Sequence, residues 1–150
     1  MRSWALVAGF GLLALGAGVA LAQQSPSDLS AERRGLMRQQ VQAVRAIAPV
    51  VQGGGDPRTV QPQAEAVLAT ARRKLTMFPP GSDRDDDRAR PEIWTDRATF
   101  DRDGQALVDG ATALVAASAA GDRAAFAAAF QAATNACNAC HDRFRLPQRP

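Results

Sequence analysis

Cys137-Asn138-Ala139-Cys140-His141 contains both cysteines and the single histidine of a 150-residue chain. This C-x-x-C-H spacing is the pattern of covalent c-type haem attachment. On a helix of 3.6 residues per turn, positions i, i+3 and i+4 share one face, so two thiols and an imidazole can address the same planar object. The thiols add to the two haem vinyl groups as thioethers, and His141 ligates iron from beneath the ring. Covalent anchoring pins a large apolar ring inside a small protein and keeps it from dissociating after export.

Other chemistries fit these residues less well. A redox dithiol needs a thioredoxin-like alternation of strands and helices, and two cysteines with one histidine do not complete a zinc site without carboxylates. A disulfide across three helical residues is geometrically awkward. The same counts exclude a disulfide-stapled miniprotein and a multi-histidine metal enzyme. The net charge of +3 comes from 18 Lys+Arg against 15 Asp+Glu. Lys74 is the only lysine, and the arginines are interspersed with acids rather than gathered into a nucleic-acid footprint. With 46% hydrophobic residues, the chain reads as one ordinary globular domain.

The elements that must carry the pentapeptide are helical. From about Leu29 to Val51, the residues Met37, Val41, Val44, Ala48 and Val51 recur at intervals of four and three, which predicts one buried helical face. Gly53 to Pro57 ends that helix. Ala64, Val67, Ala71, Leu75 and Phe78 repeat the pattern until Pro79-Pro80-Gly81-Ser82 stops it. The charged loop Asp83 to Arg90 follows, its Asp85-Asp86-Asp87 run read as solvated. Pro91 and Glu92 suit the start of a third helix, along which Ile93, Phe100, Leu107 and Leu114 fall seven apart as far as about Ala119. Gly121 supplies a stop and Asp122 an N-cap for a fourth helix, whose stripe is Phe126, Phe130, Ala133, Cys137, Cys140 and Phe144. No segment reads as a strand. The prediction is an all-α, antiparallel up-down-up-down four-helix bundle enclosing the haem near its C-terminal helix. Alanine-rich seams on the third and fourth helices would allow close approach but are expected to leave room that a cofactor could fill.

Residues 1–22 stand apart from this domain. Arg2, the apolar run Trp4 to Leu21 and the small-x-small ending Ala20-Leu21-Ala22 read as a secretory signal peptide. An uncleaved anchor is the alternative, but the glycines in the run and the Ala-x-Ala ending favour cleavage. Residues 23–150 would then form one soluble, periplasmic haem domain with no stable membrane insertion.

The attachment motif lies ten residues from the C-terminus, on the last helix. With it come Arg33 and Met37 one turn apart on the first helix, Pro49-Val50-Val51 near its end, and Phe78-Pro79-Pro80-Gly81-Ser82 in the central loop. Arg90-Pro91-Glu92-Ile93-Trp94, Ala120-Gly121-Asp122 and Cys137 to Arg145 complete the set. In this order and spacing the chain resembles the class II cytochromes c, the cytochrome c′ family, over essentially all of residues 23–150. The resemblance implies one haem c bonded through Cys137 and Cys140, with His141 proximal and Met37 over the distal face. It also implies Arg33 near a propionate, where a guanidinium fork suits a carboxylate, Trp94 against the haem edge, and Arg145 making the proximal side electropositive. Arg33 read alone is equally a solvated helix arginine, and Arg145 part of a basic tail. Met37 either ligates iron as a soft thioether or plugs a vacant site.

A haem held by the only histidine, with no acid, base or substrate pocket in view, does not read as an enzyme. Electron transfer with a redox partner protein is one reading. A five-coordinate haem binding nitric oxide or carbon monoxide is the other. The resemblance also allows a homodimer through the first two helices, with Leu36 and Ile47 lying outside the predicted stripe as contacts or as core margin. The net charge gives at most a mild preference for acidic partners.

Overall fold

The computed structural model describes residues 25–83 and 88–147. The leader expected over residues 1–22 and the Asp85-Asp86-Asp87 run lie outside the described residues.

Local signals in the sequence set the helix ends. Helix α1 spans Pro26–Gly53, with the Ser25 hydroxyl accepting from the Asp28 N–H at 3.2 Å and Asp28 itself in the first turn. Both features answer the unpaired donors and positive pole of a helix start. Gly54, at φ 63°, closes α1 in the left-handed conformation that glycine tolerates without penalty. A 3₁₀ turn over Pro57–Val60, capped by Asp56, leads into α2, Gln61–Leu75. After the 76–91 connection come a single turn α3, Glu92–Thr95, then α4, Arg97–Ala120, and α5, Arg123–Phe144. Gly121 (φ 71°) ends α4, and the Asp122 carboxylate caps α5 through the Ala125 N–H at 3.0 Å.

The four long helices form the predicted bundle: α4 packs on α2 and α5, α2 packs on α1, and α1 touches α5. Among the described residues there is no strand, only an isolated bridge between Ala89 and Arg145. None of the described helices is long and apolar enough to cross a membrane.

Several expectations are corrected. The predicted third helix breaks at Asp96 (φ −116°, ψ 55°), which separates α3 from α4. Ile93, Phe100, Leu107 and Leu114 are nonetheless all buried, so the heptad seam survives the break. The second stripe outruns its helix: α2 stops at Leu75, and Phe78 is buried from the following loop. On α1 the inner face is rotated from the one predicted. Val41 is 46% exposed, while Ile47, placed outside the predicted stripe as a dimer contact or core margin, is fully buried. The true face runs through Leu29, Arg33, Gln40, Ala43 and Ile47. Two of those five side chains are polar, so an apolar periodicity could not detect it.

The alanine-rich seam gives the expected close approach but not the expected room. Ala111, Ala117 and Ala129 pack with Ile47, Ala64, Val67, Leu114 and Phe126 into a closed core. A Cβ placed on Gly110 would lie 3.0 Å from the Ala133 backbone nitrogen, which shows how closely α4 and α5 approach there. Small residues pull the helices together rather than leaving a hollow. The open space lies at the other end of the bundle, where Leu29, Met77, Phe78, Ile93, Phe100 and Phe144 form an aromatic-rich cluster.

Candidate functional site

At this aromatic end a cavity of about 330 Å³ opens between α1 and α5, within the size range of small-molecule and cofactor sites. Met37 and Val41 line it from α1, and Cys140, His141 and Phe144 from α5, with Phe78, Ile93 and Phe100 also exposed to it. The three aromatic rings interlock edge to face. Phe78 and Phe100 are 4.9 Å apart at 69°, and Phe100 and Phe144 are 5.4 Å apart at 88°. That arrangement suits the ring quadrupoles and gives the cavity a firm apolar base.

Of the residues singled out in the sequence, Arg33, Met37, Cys140, His141 and Arg145 share this lining. Cys137 lies one turn earlier on α5, packed beside Ala71, Leu107, Val108 and Ala133. Trp94 does not reach the cavity. Its indole N–H donates to the Pro79 carbonyl at 2.9 Å, and its ring meets Phe78, which does line the cavity, edge-on at 6.1 Å. Trp94 therefore holds the central loop from outside.

Arg33 is not a solvated helix arginine. It is 3% exposed, and its guanidinium donates to Met77 O at 2.9 Å, Ser82 O at 3.0 Å and Ser82 Oγ at 3.4 Å. The same group lies 4.7 Å from the Phe78 ring centroid. A buried guanidinium is tolerable only when its donors are answered; here it fastens the 77–82 loop to α1. Arg145 follows α5, its N–H bonded to the His141 carbonyl at 3.1 Å. The neighbouring N–H of Leu146 bonds to Arg88 O, and that of Arg90 bonds to Phe144 O, at 2.8 and 3.0 Å. These bonds fold the segment before α3 against the end of α5.

The electrostatics distinguish the site from a redox dithiol. Burial pushes the Cys140 thiol up to about 11, with Asp103 acting in the same direction, and burial raises Cys137 as well. Both cysteines are free of disulfide. Reactive dithiols depend on a depressed thiol pKa, the opposite of this environment. Burial, followed by the charge of Arg145, holds His141 down to about 4. Its imidazole is therefore neutral near pH 7, the form that ligates a metal.

Lys74 escaped the sequence reading. It is 8% exposed on α2, and its Nζ donates to Gln40 Oε1 and lies 3.5 Å from Met37 Sδ. Burial holds its amine below the usual 10.5, opposed by Cys137 and Cys140 across the bundle. A signal was available: Lys74 follows Ala64, Val67 and Ala71 at helical spacing and occupies an inner position of that stripe.

These features fit a covalent haem. They supply two thiols three residues apart, a neutral imidazole on the same helix face, an apolar cavity, and arginines along its lining. Comparison with known proteins agrees. The family model described as Cytochrome C' matches residues 28–145. A cytochrome c' of Rhodopseudomonas palustris is 33% identical over 138 residues, covering 90% of this chain and 91% of that protein. One from Alcaligenes xylosoxydans xylosoxydans is 33% identical over 122 residues, covering 80% and 94%. Among solved structures, a nitric oxide complex of an Alcaligenes xylosoxidans cytochrome c prime mutant aligns with TM-score 0.78 at 30% identity, covering 85% of this chain and all of that one. Cytochrome c' from Rubrivivax gelatinosus aligns with TM-score 0.76 at 28% identity, covering 82% and 98%.

Proposed function

Because the chain belongs to the cytochrome c′ family, whose members carry a covalent c-type haem, we propose that it is a gas-binding haem protein using the cavity between α1 and α5. Cys137 and Cys140 would hold the porphyrin as thioethers, and His141 would be the proximal ligand. When bound, the haem supplies an iron centre that exchanges one electron and accepts a small diatomic ligand.

The observation that carries this reading is the asymmetry of the two walls. His141, the only histidine of the chain, lines the cavity from α5, and Met37 with Val41 lines it from α1. Alongside Arg33, Arg34 and Arg38, the α1 wall offers the Met37 thioether and the Val41 hydrocarbon but no second imidazole, which leaves that side to an uncharged diatomic molecule. Variants of one relative about 30% identical to this chain, the Alcaligenes xylosoxidans cytochrome c prime, have been solved with nitric oxide and with carbon monoxide, which supports the same assignment. We infer binding rather than catalytic turnover. The cavity-lining residues include no carboxylate among the described ones, and His141 is committed to iron.

Electron transfer is the second reading, favoured by a separate observation. Arg34, Arg38, Arg88 and Arg145 all contribute to the cavity lining, a basic concentration that would steer an acidic redox partner toward the haem edge. A periplasmic location belongs to the same proposal, supported by the leader expected over residues 1–22. Titration of the ferrous holoprotein with carbon monoxide, followed by absorbance, tests the primary reading. We expect saturation at one gas molecule per chain. An unchanged spectrum at saturating gas, in a protein that donors still reduce, would leave electron transfer in its place.

A further inference from the structure

Behind the α1 wall of the cavity, two helices bring three side chains together at a depth where polar groups are costly. Lys74 of α2 and Gln40 of α1 are 8% and 4% exposed. Lys74 Nζ donates to Gln40 Oε1 and, at 3.5 Å, to Met37 Sδ. Met37 lines the cavity, whereas Lys74 and Gln40 do not. The amine therefore grips the thioether from within the bundle.

The grouping is expensive enough to need a purpose. Burying an amine in a helical core is unfavourable unless each N–H finds an acceptor. Gln40 pays part of the cost, because its Nε2 is buried without a hydrogen-bond partner. An amide with one end unanswered is kept in the core for its other end, and here that end is the oxygen facing Lys74. A thioether is a weak acceptor. A sulfur lone pair engaged by an N–H is nevertheless less available to a metal, and Met37 is the residue on which iron coordination turns.

We propose that Lys74, anchored by Gln40, is a positioning residue that holds the Met37 thioether on the α2 side and keeps it off the iron. The α1 side of the haem is thereby left to an incoming gas. The proposal rests on the reading in which the haem lies between His141 and Met37, and it adds the device that settles which of two ligation states the protein adopts. Lys74 is not among the residues that line the cavity. It acts through Met37.

The test is the spin state of the ferric holoprotein, read by electron paramagnetic resonance and absorption, in four forms. Wild type and Lys74→Arg, which keeps the N–H donors, are expected to be high-spin. Lys74→Met, which keeps an unbranched stem and removes the donors, is expected to turn predominantly low-spin with a sulfur-to-iron charge-transfer band. Adding Met37→Leu to Lys74→Met should restore the high-spin signal. If Met37 occupies nine-tenths of the iron in Lys74→Met, carbon monoxide binding weakens about tenfold, because apparent affinity falls with the fraction of open sites. Should Lys74→Met fail to fold, Lys74→Leu, which also carries no donor, gives the same readout as an increased low-spin fraction. High-spin iron in every Lys74 variant overturns the proposal, as does a wild type already ligated by Met37. The single variant Met37→Leu separates the two levels of inference. If it leaves gas binding unchanged, the placement of Met37 beside the haem fails and the tether with it; if it alters gas binding while Lys74→Met stays high-spin, the tether alone fails.

Discussion

Around Ile47, Leu114 and Phe126 the helices meet through side chains that are at most 1% exposed, whereas around Met37, Phe78 and His141 the same bundle stands open. The closed region is built from small and branched residues, with Gly110 and Ala133 bringing α4 and α5 close together. The open region is built from aromatic rings and contains the buried cations Arg33 and Lys74. Residue size alone would suggest the reverse, with alanines leaving voids and phenylalanines filling them. Alanine seams instead close by letting backbones approach. Interlocked rings on α4 and α5 and in the loop after α2 make a rigid base that does not collapse. Arg33 ties the 77–82 loop to α1 at that end, so the opening is framed by specific polar contacts. One half of the bundle supplies stability, and the other keeps a shaped space.

This contrast can be broken or sharpened by substitution. Phe126→Ala should cost most, about 3–5 kcal/mol, because the closed half cannot fill the void it leaves. Urea unfolding of the holoprotein measures it as a lowered midpoint at unchanged slope. Gly110→Ala comes next. The new methyl meets Ala133 backbone atoms at 3.0 and 3.1 Å, and overpacking of this kind costs about 1–3 kcal/mol. Met37→Ala should cost about 1 kcal/mol or less, since that side chain is only partly buried at the cavity wall and is not enclosed in the closed core. A Met37→Ala cost equal to that of Phe126→Ala would erase the distinction between the halves.

The remaining prediction concerns pH. In the chain before haem is attached, His141 is held down to about 4 from the ordinary 6.5 by burial and then by Arg145. The unfolded chain takes up a proton at 6.5 and the folded chain only near 4. The unfolded state thus binds more protons between those values, and stability falls as pH drops through that window. Above 6.5 the imidazole is neutral in both states and contributes no slope. Denaturant midpoints of the unloaded chain, compared with those of His141→Gln at pH values within and above the window, should diverge only within it.

Much of this was legible in the sequence, for identifiable reasons. The α5 stripe from Phe126 to Phe144 and the heptad Ile93, Phe100, Leu107, Leu114 announced their buried face because nearly every inner position is apolar. The N-cap at Asp122 and the stop at Gly121 were equally plain, since each depends on one residue's own chemistry. The inner face of α1 was not, because Arg33 and Gln40 interrupt it, and a charged side chain is inward-facing only when a partner distant in sequence answers it. For Arg33 those partners are Met77 and Ser82; for Lys74 they are Gln40 and Met37. The break at Asp96 was hidden by a heptad that continues in register across it. At the site, the pentapeptide named its own chemistry, and the cavity brought Arg33, Met37 and Arg145 to the same lining. Trp94, inferred to touch the haem edge, lies one ring behind the cavity lining, and Lys74 went unplaced because the α2 stripe was traced through apolar residues alone.

The central claim is that the porphyrin is bonded to α5 through both thiols of the pentapeptide. The most direct test is mass spectrometry of the tryptic peptide running from residue 124 to Arg143, prepared from protein made in a host competent for c-type haem attachment and denatured in acid. We expect that peptide to carry the added mass of one haem. The bare peptide mass, with all the haem released by denaturation, would contradict it.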